Sequence, residues 1–235
     1  MCRCVSNSAT RDQIEKAMQC QFVYPDLYSP NPIIRGSEEV TLSVITSEAS
    51  DRISFAIWGM LPSDYDDEWV HFQEVRDTLS VEKDDLSSWN EYSEAVKKRR
   101  CLVIVTGYFV YHFYNGSLYP YYIHQDHKKT FCLAGIYNVL DDGFKTCSLL
   151  KSPATGVVAS IQNVDNTMPI IIDRLNYKLW LDPNSSEAEI NHLMDNTAQR
   201  SINGYPVAKE FFKNDIVYES ILEPVAYPNI PFKTS

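Results

Sequence analysis

From Cys101 to Leu150 the chain is made almost entirely of aromatic, β-branched and other apolar residues, broken by one Asn-Gly pair and short polar segments. Cys101–Tyr114 leads into Asn115-Gly116, and Tyr119–His124 returns from it. That pair is the strongest short-range signal for a two-residue hairpin, because both central positions need positive φ. Phe131–Leu140 and Phe144–Leu150 read as further strands of the same sheet. A chain with this centre has to fold around an antiparallel sheet.

The flanks supply helices and more strands. Thr10-Arg11-Asp12-Gln13 has the form of a capping box, and Ile14, Ala17 and Met18 follow at helical spacing. Residues 20–36 carry Pro25, Pro30 and Pro32 and predict an irregular loop. Val40–Thr46 and Ile53–Met60 predict two strands. Ser88-x-x-Glu91 predicts a capped helix with Trp89, Tyr92 and Val96 on one face, ending in Lys97-Lys98-Arg99-Arg100. Basic residues in a last turn suit the helix macrodipole, so this run needs no nucleic acid to explain it. Pro153–Gln162 predicts a short helix and Pro169–Asp173 a short buried strand. Tyr177–Leu181 and Ser186–Met194 predict helices, the second with a capping box at Ser186 and Glu189. With no repeat or linker, the expectation is one α+β domain over residues 1–224, largely antiparallel and barrel-like, with a loose tail over 225–235.

Composition bounds the function. A net charge of −10 argues against broad duplex binding, which depends on clustered Lys and Arg, though not against a small basic pocket. Apolar runs stay short of the ~18 residues a membrane helix needs, and the N-terminus lacks a signal-peptide pattern. The expectation is a cytoplasmic monomer with no membrane association. Cysteines stand at 2, 4, 20, 101, 132 and 147, with Cys101 and Cys132 in apolar runs that predict small buried side chains. Cys2-x-Cys4 is too short for a zinc site. No phosphate loop, G-x-S-x-G or H-E-x-x-H occurs. Neither cofactor nor metal is expected.

Several blocks, in order, resemble the SRAP family (SOS response-associated peptidase, or abasic site processing, proteins), and in particular its Bacteroidetes-type members. Met1-Cys2 opens the chain as the family's cysteine does. Phe55–Pro62 resembles "W-G-L-I-P", and Phe72–Thr78 stands where the family has "N-A-R-x-E-T". Lys98–Tyr111 resembles "K-R-C-I-V-P-x-x-G-Y-F-E-W", Tyr119–Ile123 "P-Y-Y-I", and Phe131–Tyr137 "F-x-M-A-G-I-Y". Ser160–Asn163 with Met168–Ile171 resembles "x-I-H-N … R-M-P-V-I-L", and Trp180-Leu181 a later "W-L".

The resemblance implies a partner, single-stranded DNA containing abasic sites, and a chemistry. With Met1 removed, Cys2 offers an α-amine and a thiol to the ring-opened sugar aldehyde and closes a thiazolidine. An Asn, a Glu and a His of the family complete that site. Here those positions hold Gln73, Val110 and Gln162. Val110 has no proton to transfer, and Gln162 has no useful pKa. Cys4 replaces one phosphate-holding Arg; Val75 replaces the other, with Arg76 one step along. After Pro62 the family's aromatic wedge becomes Ser63-Asp64, with Tyr65 the nearest ring and Asp66, Asp67 and Glu68 adding negative charge. If residues 71–73 and 110–112 are strands, His71 shares a face with Gln73 and His112 with Val110, and either can compensate. Two readings stay open: a weakened abasic-site crosslinking protein with peptidase- or lyase-labelled relatives, and a non-catalytic paralogue acting as a binding module.

Overall fold

In the computed structural model, residues 3–197, 202–213 and 218–228 are described here. The hairpin forms as its sequence demands. Strand β8 (Gly107–Tyr114) pairs with β9 (Ser117–Gln125) through Tyr114↔Ser117, and Asn115 and Gly116 both have positive φ, 47° and 73°. The apolar run before the turn is not one strand. It breaks at Thr106 into β7 (Arg100–Val105) and β8, which belong to different sheets. Gly107 makes the break feasible, since a Cβ there would lie 2.5 Å from the Ile123 carbonyl oxygen.

The remaining elements, in chain order, begin with β1 (Cys4–Asn7), α1 (Arg11–Met18), β2 (Gln21–Phe22), β3 (Asn31–Arg35), β4 (Thr41–Thr46), β5 (Ala49–Trp58) and α2 (Trp69–Val75). They continue with β6 (Ser80–Glu82), α3 (Asn90–Lys98), β10 (Phe131–Val139), β11 (Lys145–Pro153) and α4 (Gly156–Ile161). The last are β12 (Thr167–Pro169), β13 (Ile171–Ile172), α5 (Tyr177–Leu181), α6 (Glu187–Asp195) and β14 (Ile202–Pro206). The larger sheet runs β12-β11-β10-β7-β4-β5-β2, and a parallel pairing of β5 with β11 (Thr146↔Ile57, Cys147↔Trp58) closes it into a ring. The second sheet has the order β14-β9-β8-β1-β3. The fold is α+β, mostly antiparallel, with one barrel-like sheet.

Two apolar layers follow from strand alternation. Val103, Leu133, Cys147 and Leu149 pack with Val110 and Tyr121 of the second sheet. Leu102, Ile104, Cys132 and Leu150 face the helices, meeting Ile14, Tyr92, Trp180 and Leu193. Among the described residues no helix is long and apolar enough to cross a membrane.

Four expectations need correction. Residues 20–36 are not a loop throughout: β3 contains Pro32 and tolerates it because it is an edge strand, paired with β1 alone among the described residues. Residues 71–73 are not a strand, since they lie within α2. Ser88 does not cap α3, which starts after Trp89 with no side-chain cap. Arg100 does not belong to the last turn of α3, which ends at Lys98, but opens β7 and is wholly buried. Its guanidinium donates to the carbonyls of Val96, Lys97, Trp180 and Asp182, closing the C-terminal ends of α3 and α5 together. The capping boxes at Thr10 and Ser186 are present.

Candidate functional site

Helix α2 reaches its place because β5 ends at Trp58 and Gly59 follows it. The Trp69 indole donates to the Trp58 carbonyl at 3.0 Å. Gly59 has φ +112°, and a Cβ there would lie 2.6 Å from the Trp69 ring nitrogen and 2.8 Å from the Gln73 amide nitrogen. Only a residue without a side chain lets this helix dock. Gln73 then turns to the end of its own segment. Its Nε2 donates to Thr78 Oγ1 at 2.7 Å, and its Oε1 accepts from the Thr78 N–H at 3.0 Å. On a helix His71 and Gln73 diverge. His71 is exposed and lies 3.4 Å from Asp67 and 3.9 Å from Glu68.

The cations nearby are engaged. Arg76 lies over the Trp89 ring, 4.8 Å from its centroid, while Val75 points to solvent. Arg3 donates to Asp77 at 2.7 Å, which ties the start of the described chain to the Gln73–Thr78 corner. Cys4 is buried, and burial raises its thiol pKa despite a Tyr111 hydroxyl at 3.8 Å and Arg35 at 4.0 Å. Arg35, its partner across β1 and β3, donates to the carbonyls of Phe211 and Lys213. A guanidinium therefore stands beside Cys4, on the neighbouring strand.

Val110 and Gln162 meet across a narrow cleft that also includes Tyr111, Asp165, Thr167 and Pro169, with a void of about 10 Å³. That is room for one water. Val110 is 4% exposed. Gln162 follows α4 and donates its amide to the Thr167 carbonyl at 2.7 Å. Asp165 accepts from the N–H and hydroxyl of Thr167, at 3.0 and 2.9 Å, which fixes this turn. His112 shares the Val110 face of β8, and its Nδ1 lies 2.6 Å from the Ile161 carbonyl. The carbonyl can only accept, so Nδ1 carries the proton. Opposite Val110 stands Tyr121, its hydroxyl buried and its pKa raised by that burial. Among the described residues no group of three His, Cys, Asp or Glu is arranged to hold a metal. Cys2 lies outside the described residues.

The sequence profile described as "SOS response associated peptidase (SRAP)" matches residues 1–214. The chain belongs to the SRAP family. Abasic site processing proteins YobE and YoqW of Bacillus subtilis are each 20% identical over 183 residues, covering 76% of this chain and 80% and 78% of theirs. A Bacteroides thetaiotaomicron crystal structure superposes with a TM-score of 0.84 at 24% identity, covering 96% of this chain and all of the other. One from Bordetella bronchiseptica gives 0.72 at 12% identity, covering 88% and all of the other. This SRAP chain brings Val110 and Gln162 together at one cleft and links Gln73 to Arg3 through Thr78 and Asp77. The sequence had not pointed to Arg3 and Asp77, because an ion pair between residues 74 apart leaves no local pattern.

Proposed function

We propose that this protein processes abasic sites in single-stranded DNA, capturing them covalently through Cys2, with weakened proton transfer. The observation that carries the reading is the SRAP match over residues 1–214, together with relatives named as abasic site processing proteins. With Met1 removed, the Cys2 amine adds to the ring-opened sugar aldehyde, and the carbinolamine expels water to give an imine. The thiol then adds, its sulfur to the imine carbon and its proton to nitrogen, closing a five-membered ring with one water released overall. Both nucleophiles on one residue make ring closure intramolecular, so effective concentration substitutes for part of the missing acid–base catalysis. Gln73 and Gln162 serve as hydrogen-bonding groups, and Val110 as a wall.

The test is incubation of the protein with an abasic oligonucleotide and a denaturing gel, after intact mass has established loss of Met1. A shifted band with wild type and none with Cys2→Ala is expected; equal behaviour of the two ends the proposal. A second reading, a non-catalytic binding module, is favoured by the single-water void at Val110 and the carboxylates at 64–68. It predicts no shifted band, and no binding of fluorescent single-stranded DNA even at low salt.

A further inference from the structure

The Lys151 side chain is largely buried, and its ammonium makes no hydrogen bond to a described residue. Its side chain is 9% exposed, and its one ion-pair partner is Glu82, with Nζ 3.7 Å from Oε1. An ammonium has three N–H donors, and at that distance the carboxylate satisfies none of them well. Its Nζ is not among the fully buried atoms that lack a partner, so the ammonium still reaches solvent and a further anion can approach it.

The position of Lys151 says where that anion would come from. On β11, Cys147 and Leu149 face the layer that holds Val110, while Leu150 faces the helices. Strand alternation therefore puts Lys151 on the Val110 side. The registers agree: Lys151 pairs with Glu82 on the parallel strand β6 and with Pro169 on the antiparallel strand β12. Pro169 lines the same cleft as Val110 and Gln162. The other basic groups around the site are committed more closely, Arg3 to Asp77 at 2.7 Å and Arg76 to the Trp89 face.

We propose that Lys151, held at long range by Glu82, is an anion-binding residue beside the cleft that takes a phosphodiester oxygen of a strand lying across its mouth. This rests on the single-stranded DNA reading. Glu82 acts as a place-holder: it orients the ammonium and competes with the phosphate for it. The two partners therefore have opposite effects on binding, which a purely structural ion pair would not show.

The experiment measures binding of a fluorescent twelve-nucleotide thymidine strand, without any abasic site, over a range of sodium chloride concentrations. Lys151→Met is expected to weaken binding about ten-fold, the loss of one charge-assisted hydrogen bond. It should also flatten the slope of log affinity against log salt by about 0.7, one phosphate contact on a single strand. Lys151→Arg is expected to restore that slope. Glu82→Gln is expected to tighten binding about three-fold, the scale of a weak ion pair. If wild type binds while Lys151→Met binds equally well with the same slope, this inference falls and the DNA reading stands. If wild type does not bind at all, both fall. Should Lys151→Met fail to fold, Glu82→Gln decides alone, and unchanged or weaker binding by it overturns the inference.

Discussion

At the scale of single residues, the substitution that most separates this chain from an acid–base enzyme is Val110. It is buried against Tyr121 and the apolar layer between the sheets. A carboxyl placed there would lose its hydration, so its folded-state pKa would rise above the ordinary value of about 4.3. Between those two values the folded protein holds a proton that the unfolded chain has released, so stability falls as pH rises. Val110→Glu is therefore expected to cost about 1 kcal/mol near pH 4.5 and about 3 kcal/mol at pH 8, read from urea unfolding. Equal costs at the two pH values would mean that water reaches the cleft floor freely. The pairing of Val110 with Gln162 was legible in the family blocks, and the shared face of Val110 and His112 in simple strand alternation. The Gln73 side is not legible in this way, because strand alternation puts His71 beside Gln73 whereas the helix that forms there turns His71 away.

Elements were read best where local chemistry is self-sufficient. Thr10 with Gln13, Ser186 with Glu189, and Asn115-Gly116 form the caps and the turn their sequences specify. Ser88-x-x-Glu91 has the same form and caps nothing, because Trp89 packs edge-on against Tyr92 and takes the N-cap position. Tertiary packing there overrides local preference. Thermal melts should register the difference: Thr10→Ala and Ser186→Ala are each expected to lose about 1 kcal/mol, and Ser88→Ala less than about 0.5 kcal/mol. A larger loss at Ser88 than at Ser186 would contradict this assignment of caps. The strand at Pro32 is hidden in the sequence for a different reason. A proline forbids a central strand and not an edge one, and edge position is a property of the sheet, invisible in the sequence of the strand itself.

For the whole molecule, the closed ring makes alkaline pH the condition to which its stability is most exposed. Cys101, Cys132 and Cys147 are free thiols, all wholly buried on ring strands. Burial pushes Cys132 and Cys147 up to about 12 and raises Cys101 as well. In the unfolded chain a thiol ionises near 8.5. Above that pH the unfolded state sheds protons that the folded state keeps, so stability falls by about 1.4 kcal/mol per pH unit for each thiol, until the folded value is reached. Three thiols together remove about 6 kcal/mol by pH 10, which rivals the whole stability of an ordinary domain. The thermal midpoint is therefore expected to be flat from pH 6 to 8 and to drop steeply by pH 10. Cys147→Ala should flatten that descent by less than one third, because the Cys4 and Cys20 thiols are also raised and share in it, whatever it does to the midpoint at neutral pH. A descent of unchanged steepness in that variant would place ionised thiols inside the folded ring. The ring would then have to be hydrated, contrary to the packing of Cys147 with Val103, Leu133 and Leu149 in one apolar layer.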